Sequence, residues 1–181
     1  MNHLIRSCIT FCFLFLTVSV LAQKKGIQVA PAPTWITTNA VDYFNTKWDQ
    51  DAEDGYVDVA YEKQVSLGLQ EMYYRKAIRI LSDAGVQNSS EVNVGFDPAY
   101  ESITFHSIRI LRGQQVLNKL DRFKFKVLQQ EEELDKYLYN GSLSAVLFLE
   151  DVRKGDVIEY SYTCKGFNPI FKGKYSDNYT G

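Results

Sequence analysis

From Gly55 onward the chain alternates apolar and polar residues with a period of two. In "YVDVAYEKQVSL" the apolar set is Val57, Val59, Tyr61, Val65 and Leu67, and Asp58, Glu62, Gln64 and Ser66 take the other parity. Side chains of a strand point alternately to its two faces, so this pattern predicts a half-buried strand. "MYYRKAIRI" repeats it, with Met72, Tyr74, Ile78 and Ile80 opposed to Glu71, Arg75 and Arg79, and "EVNVGF" groups Val92, Val94 and Phe96. Gly68 and the "DAG" of residues 83–85 punctuate these runs as turns.

In "ESITFHSIRIL" the phase breaks: Ile103 and Phe105 share one parity, Ile108 and Ile110 the other. An unbroken strand would turn half of these side chains to water. One extra residue restores a single apolar face, which predicts a β-bulge near His106 and Ser107. "LRGQQV" then reads as a turn at Gly113 and a return strand. Phe123, Phe125 and Val127 alternate with Lys124 and Lys126 as part of that hairpin. The acidic run "QQEEELDK" reads as a solvated loop or short helix. The Asn140-Gly141 pair before "LSAVLFL" signals a hairpin turn, because both central residues of a type I′ turn need positive φ. "EDVRKGD" turns the chain into a last strand, Val157 to Cys164, with Ile158, Tyr160, Tyr162 and Cys164 inward and Glu159, Ser161 and Thr163 on the other face. About eight strands and no long helix make an all-β fold, an antiparallel β-sandwich-like domain. Val41 to Asp54 reads as a short N-terminal helix or an irregular segment.

Residues 1–22 do not belong to this pattern. A basic start at Arg6, an apolar run from Cys8 to Leu21, and small residues at Val20 and Ala22 form a secretory signal peptide, with cleavage expected between Ala22 and Gln23. The apolar run is short for a membrane span, which needs about 20 residues. Residues 23–33, "QKKGIQVAPAP", read as an extended leader, and residues 34–181 as the domain, with Trp35 marking its start. Removing residues 1–22 takes one of the 20 basic residues and none of the 22 acidic ones, leaving a formal charge of −3. With no Lys/Arg cluster the chain lacks the footprint of a nucleic-acid binder or a polybasic membrane surface. Its localisation is expected to be periplasmic or extracellular, with no stable membrane span after cleavage.

Of three cysteines, only Cys164 lies outside the signal segment, so no internal disulfide is expected. Alternation puts this thiol among Ile158, Tyr160 and Tyr162, where burial raises its pKa. A nucleophile wants the opposite, an accessible, electropositive setting with a base in reach. The alternative is a cysteine hydrolase or acyl-transferase in which His106, the one histidine beyond the signal segment, serves Cys164. One Cys and one His do not make a zinc set, "EEEL" lacks calcium-loop spacing, and the glycines are isolated, so neither metal nor cofactor is expected. The sequons at Asn88, Asn140 and Asn178 would matter only in a eukaryotic secretory pathway. A lipid-embedded barrel is disfavoured by Lys63 and Lys76, which interrupt the apolar parities.

The stretches "PTW", "YYRKAIRILSDAGV", "VGFDPAYESITFHSIRILRGQQV", "YNGSLSAVLFLEDVRKGDVIEYSYTCKGFNP" and "IFKGKYS" appear in the order and spacing of a known family. From about Trp35 to Tyr175 the chain resembles the domain of unknown function that precedes a transglutaminase-like domain in exported proteins of Gram-negative bacteria. The resemblance implies a β-sandwich-like module without catalytic residues of its own, with the enzyme's Cys, His and Asp in the downstream domain, its partner in cis. The ending "YSDNYTG" stops where members of the family continue, so residues 23–181 alone are expected to expose unpaired edges and to associate. The expected function is therefore a non-catalytic accessory module that scaffolds an enzyme-like domain or binds a peptide or glycan. Two alternatives stand beside it: the Cys164/His106 enzyme, and a stand-alone glycan-binding or adhesive domain built around Trp48 and Tyr43.

Overall fold

The structure is a computed structural model and describes residues 27–52, 54–129 and 141–176. Ala22 and Gln23 lie outside the described residues, as do residues 130–140 with most of the acidic run and Asn140 of the expected turn. Gly141 has a φ of +69°, and the expected turn itself is not among the described residues.

Two β-sheets pack face to face. The larger contains β1 (Ile27–Val29), β2 (Tyr56–Ser66), β3 (Glu71–Ile80), β5 (Ser102–Arg112), β6 (Gln115–Asn118) and β9 (Val157–Lys165), in the order β1-β5-β9-β3-β2 with β6 also on β5. The smaller is β4 (Glu91–Phe96), β8 (Leu143–Phe148) and β7 (Lys126–Gln129), in the order β4-β8-β7. All pairings are antiparallel except β1 with β5.

The core lies between the sheets. Ile78, Ile158 and Ile110 stand side by side on neighbouring strands, as do Tyr74, Tyr162 and Phe105. Facing them are Val92, Val94, Phe96, Ala145 and Leu147 from the smaller sheet, and Phe125, whose ring centroid is 4.4 Å from that of Phe105. The bulge falls where the phase break requires it: the β5–β9 register shifts between Phe105 and Ser107 and leaves His106 unpaired. Ile103, Phe105, Ile108 and Ile110 are consequently all buried on one face.

Several expectations are corrected. The leader stretch is extended, but Ile27–Val29 joins the sheet as β1 through a parallel pairing with Ile103–Phe105. The "DAG" turn opens helix α1 (Asp83–Ser89), capped by Ser82, whose side chain accepts from the Gly85 N–H. A second bulge, between Asp58 and Ala60, breaks the apolar parity of β2, so Tyr61 is 67% exposed instead of buried. Phe123 sits exposed in a turn, and β7 pairs with β8 in the other sheet, not with the return strand after Gly113. Residues 41–54, expected as a short helix or an irregular segment, are irregular apart from a 3-10 turn at Asp49–Asp51 among the described residues.

The largest correction concerns the outer face of the main sheet. Arg75, Arg79, Glu159, Ser161 and Thr163, expected to face water, are all buried. Residues 35–51 cross this face as a strap. Trp35 Nε1 donates to Glu71 at 3.1 Å, the Thr37 N–H to the Gln64 side chain at 2.9 Å, and Asn39 Nδ2 to Glu62 at 2.6 Å. Tyr43 then bonds Glu159 and packs on Ala77, Val157 and Leu111, and Arg79 pairs with Asp49.

Candidate functional site

The chemistry-bearing side chains divide between the two faces of β9. On the strap-covered face Glu159 accepts from Arg109 Nε at 3.2 Å and Nη2 at 2.9 Å, and from the Tyr43 hydroxyl. A fork of this kind satisfies both carboxylate oxygens at once, which a buried anion requires. Arg109 is driven further toward its charged form by the bonds to Glu159. The Tyr43 hydroxyl is held protonated, first by burial and then by its bond to Glu159. Next to them Arg75 donates to the Asn39 carbonyl at 3.0 Å and pairs with Glu62 at 3.5 Å. Arg75 Nε and Arg79 Nε are buried without a hydrogen-bond partner among the described residues. Sequence parity placed Glu159 and the arginines on one face. Their burial escaped it, because the strap that covers them has no periodicity.

His106, on the same face, is held at both ring nitrogens, by the Ala30 carbonyl at 2.9 Å and by Thr163 Oγ1 at 2.6 Å, with Tyr73 stacked at 6.2 Å. A carbonyl can only accept, so Nδ1 carries the hydrogen and Nε2 accepts from the threonine hydroxyl. Burial lowers the pKa of this imidazole. It ties β1 to β9.

Cys164 stands on the opposite face, 6% exposed, between Met72 and Ile103 of the adjoining strands. Burial pushes its pKa up to about 12, with the Glu101 carboxylate as the next cause. The pKa of Glu101 is in turn raised by burial, and its carboxylate accepts from the Asp97 N–H at 2.7 Å. Because His106 bonds Thr163 and side chains alternate along a strand, imidazole and thiol are separated by the sheet itself. The Cys164/His106 pair is not assembled.

No group of three or more His, Cys, Asp or Glu able to hold a metal occurs among the described residues. No helix among them is long and apolar enough to cross a membrane. Of the two aromatics proposed for a glycan surface, Trp48 is exposed, whereas Tyr43 is half-buried and committed to Glu159.

A groove of about 500 Å³ opens between the strap and β2, lined by Asn39 to Asp42, Asn45 and Trp48 on one side and by Val59 to Glu62 on the other. A second, of about 370 Å³, lies around His106 and Thr163 beneath Ala30, Pro31 and Pro33.

A family profile, the Domain of Unknown Function DUF3857, matches residues 66–180. The chain belongs to this family. No curated protein matches it. Among solved structures, a crystal structure described as "a putative protease" from Parabacteroides distasonis aligns with 65% of this chain, at a TM-score of 0.53 and 17% identity. The aligned part is 25% of that longer chain, so this chain spans about a quarter of that protein's length and the likeness is one of fold. The DUF3857 match begins at the end of β2 and takes in the bulged β5, α1 and all of β9, but not the strap.

Proposed function

We propose that this DUF3857 chain is a non-catalytic accessory module of a larger exported protein. It stands upstream of a transglutaminase-like domain in a Gram-negative bacterium and serves that domain as a scaffold. The observation that carries the reading is the division of groups across β9. Cys164, the one thiol among the described residues, is buried with the Glu101 carboxylate near it, and His106 is spent on the opposite face in holding the end of β1. A nucleophile and its base need to be within hydrogen-bond reach of each other, with the nucleophile open to substrate. Here both groups serve packing instead. The alignment with one quarter of a longer chain supports a modular role in the same sense. The reactivity of Cys164 in the native protein tests the reading: labelling that waits for denaturant supports it, and fast native labelling overturns it.

A further inference from the structure

The groove around His106 and Thr163 has a polar floor built on strands. Ile103, Phe105 and Cys164 turn inward, so the neighbouring Ser102, Thr104, Thr163 and Lys165 stand on the outer face of the main sheet. Register sets the floor in two rows. Gln28, Thr104 and Thr163 lie side by side on β1, β5 and β9, and Ser102, Lys165 and Glu71 on β5, β9 and β3. The chain leaving β1 closes one side with Ala30, Pro31 and Pro33, around a volume of about 370 Å³. Small-molecule sites commonly enclose about 300–1,000 Å³.

The charges on this floor cancel. Lys165 Nζ lies 3.3 Å from Glu71 Oε1, and Glu71 Oε2 accepts the Trp35 indole hydrogen. The imidazole of His106 is neutral near pH 7, since burial lowers its pKa. An anion would meet Glu71 and a cation would meet Lys165, so the lining favours neither. What stays open is hydrogen-bonding capacity. Among the described residues the Ser102 and Thr104 hydroxyls and the Gln28 amide enter no hydrogen bond. The Thr163 hydroxyl donates to His106 and keeps its acceptor lone pairs. Hydroxyls and amides both donate and accept, so the floor suits a ligand that does the same without charge.

We infer that this groove binds a neutral saccharide, its hydroxyls on Ser102, Thr104 and Thr163 with Gln28 at the rim, and its C–H face toward Pro31 and Pro33. Each sugar hydroxyl is donor and acceptor at once, like the groups it meets, and carries no charge that would draw Lys165 from Glu71. A floor of side chains on paired strands is in place before the ligand arrives, which reduces the ordering cost of binding. The inference goes beyond the scaffold reading and is independent of it: its failure would leave the buried state of Cys164 untouched, and reactive Cys164 would leave this groove as it is.

The test is isothermal titration calorimetry of the full chain with neutral trisaccharides of glucose, galactose, mannose and N-acetylglucosamine, beside inorganic phosphate and triglycine. At least one trisaccharide should saturate with a Kd below about 1 mM, at least about tenfold tighter than phosphate or triglycine. Ser102→Ala and Thr104→Val should each weaken that binding by about fivefold, the scale of one lost hydrogen bond. Thr104→Ser keeps the hydroxyl and should bind as the wild type does. Neither hydroxyl is bonded in the free protein, so both variants should melt as the wild type does, and matching curves establish that they fold. Trp48→Ala, in the other groove, should leave binding unchanged. The inference is overturned if no trisaccharide saturates, if phosphate or triglycine binds as tightly, or if the double variant Ser102→Ala/Thr104→Val binds undiminished. Loss of binding in Trp48→Ala would place the saccharide beside the strap and overturn it as well.

Discussion

Replacing Arg109 by Met isolates the contribution of the strap-covered face. The Glu159 side chain is 3% exposed and its Arg109 partner 39%. Removing one partner of a fully buried ion pair costs about 3–5 kcal/mol, because an uncompensated charge stays behind. Here the guanidinium is partly wet, and Tyr43 continues to donate to the carboxylate, so the loss should sit lower, at about 2–3 kcal/mol. For a domain of this size each kcal/mol moves Tm by about 2–4 °C, which predicts a fall of about 5–10 °C. Urea melts should show a lower midpoint at unchanged m-value, since the surface exposed on unfolding is the same. The double variant Arg109→Met/Glu159→Leu removes the stranded charge and should recover at least half of the loss. High salt should change the wild-type value little, because a buried pair is weakly screened. A Tm for Arg109→Met within about 1 °C of wild type, or a double variant less stable than the single one, would refute the claim that Glu159 is buried and held by this fork.

Two further effects follow from packing and from His106. Gly85 faces Gly55 so closely that a Cβ at position 85 would overlap the Gly55 carbonyl oxygen, which itself accepts from Leu81 and Ser82, so Gly85→Ala should destabilise by about 2–4 kcal/mol in a urea melt. The pKa of His106 is lowered by burial from 6.5 in the folded state, so on acidification the unfolded chain takes up its proton first. Stability from this group is full above that value and declines as pH falls toward the lowered one. His106→Asn should flatten the wild-type dependence of Tm between about pH 5 and 7, and an identical slope in the two proteins would contradict the neutral, buried imidazole.

The inner face was legible in the sequence because its rule is local. Alternation marks Val92, Val94 and Phe96, and the phase break between Phe105 and Ile108 locates the bulge at His106. The same parity sends Cys164 inward, where it is found. The outer face was not legible, since Glu159, Arg75 and Arg79 are buried only by a strap whose residues carry no repeating pattern. A usable signal existed in the composition of that face, where Arg75, Arg79 and Arg109 share a parity with Glu62 and Glu159 across neighbouring strands. Charges matched in this way satisfy one another and tolerate a lid. The β2 bulge was hidden because Val59, Ala60 and Tyr61 are apolar in succession, so a slip of register leaves no polar residue out of place. Helix α1 was hidden for another reason: Gly85 lowers its propensity, and contact with the Gly55 turn restores what sequence alone withholds.

The accessory reading depends most on the state of Cys164. The decisive measurement is the rate of its reaction with a disulfide reagent at pH 8, in a chain with Cys8 and Cys12 replaced by Ser, native and in denaturant. A shift from 9.0 to about 12 leaves the native thiol about a thousandfold less thiolate than the unfolded one, before its burial is counted. The account predicts native labelling slower than unfolded labelling by at least that factor, and one reactive thiol per chain once unfolded. Stoichiometric native labelling at the unfolded rate or faster would contradict it and return Cys164 to the role of nucleophile.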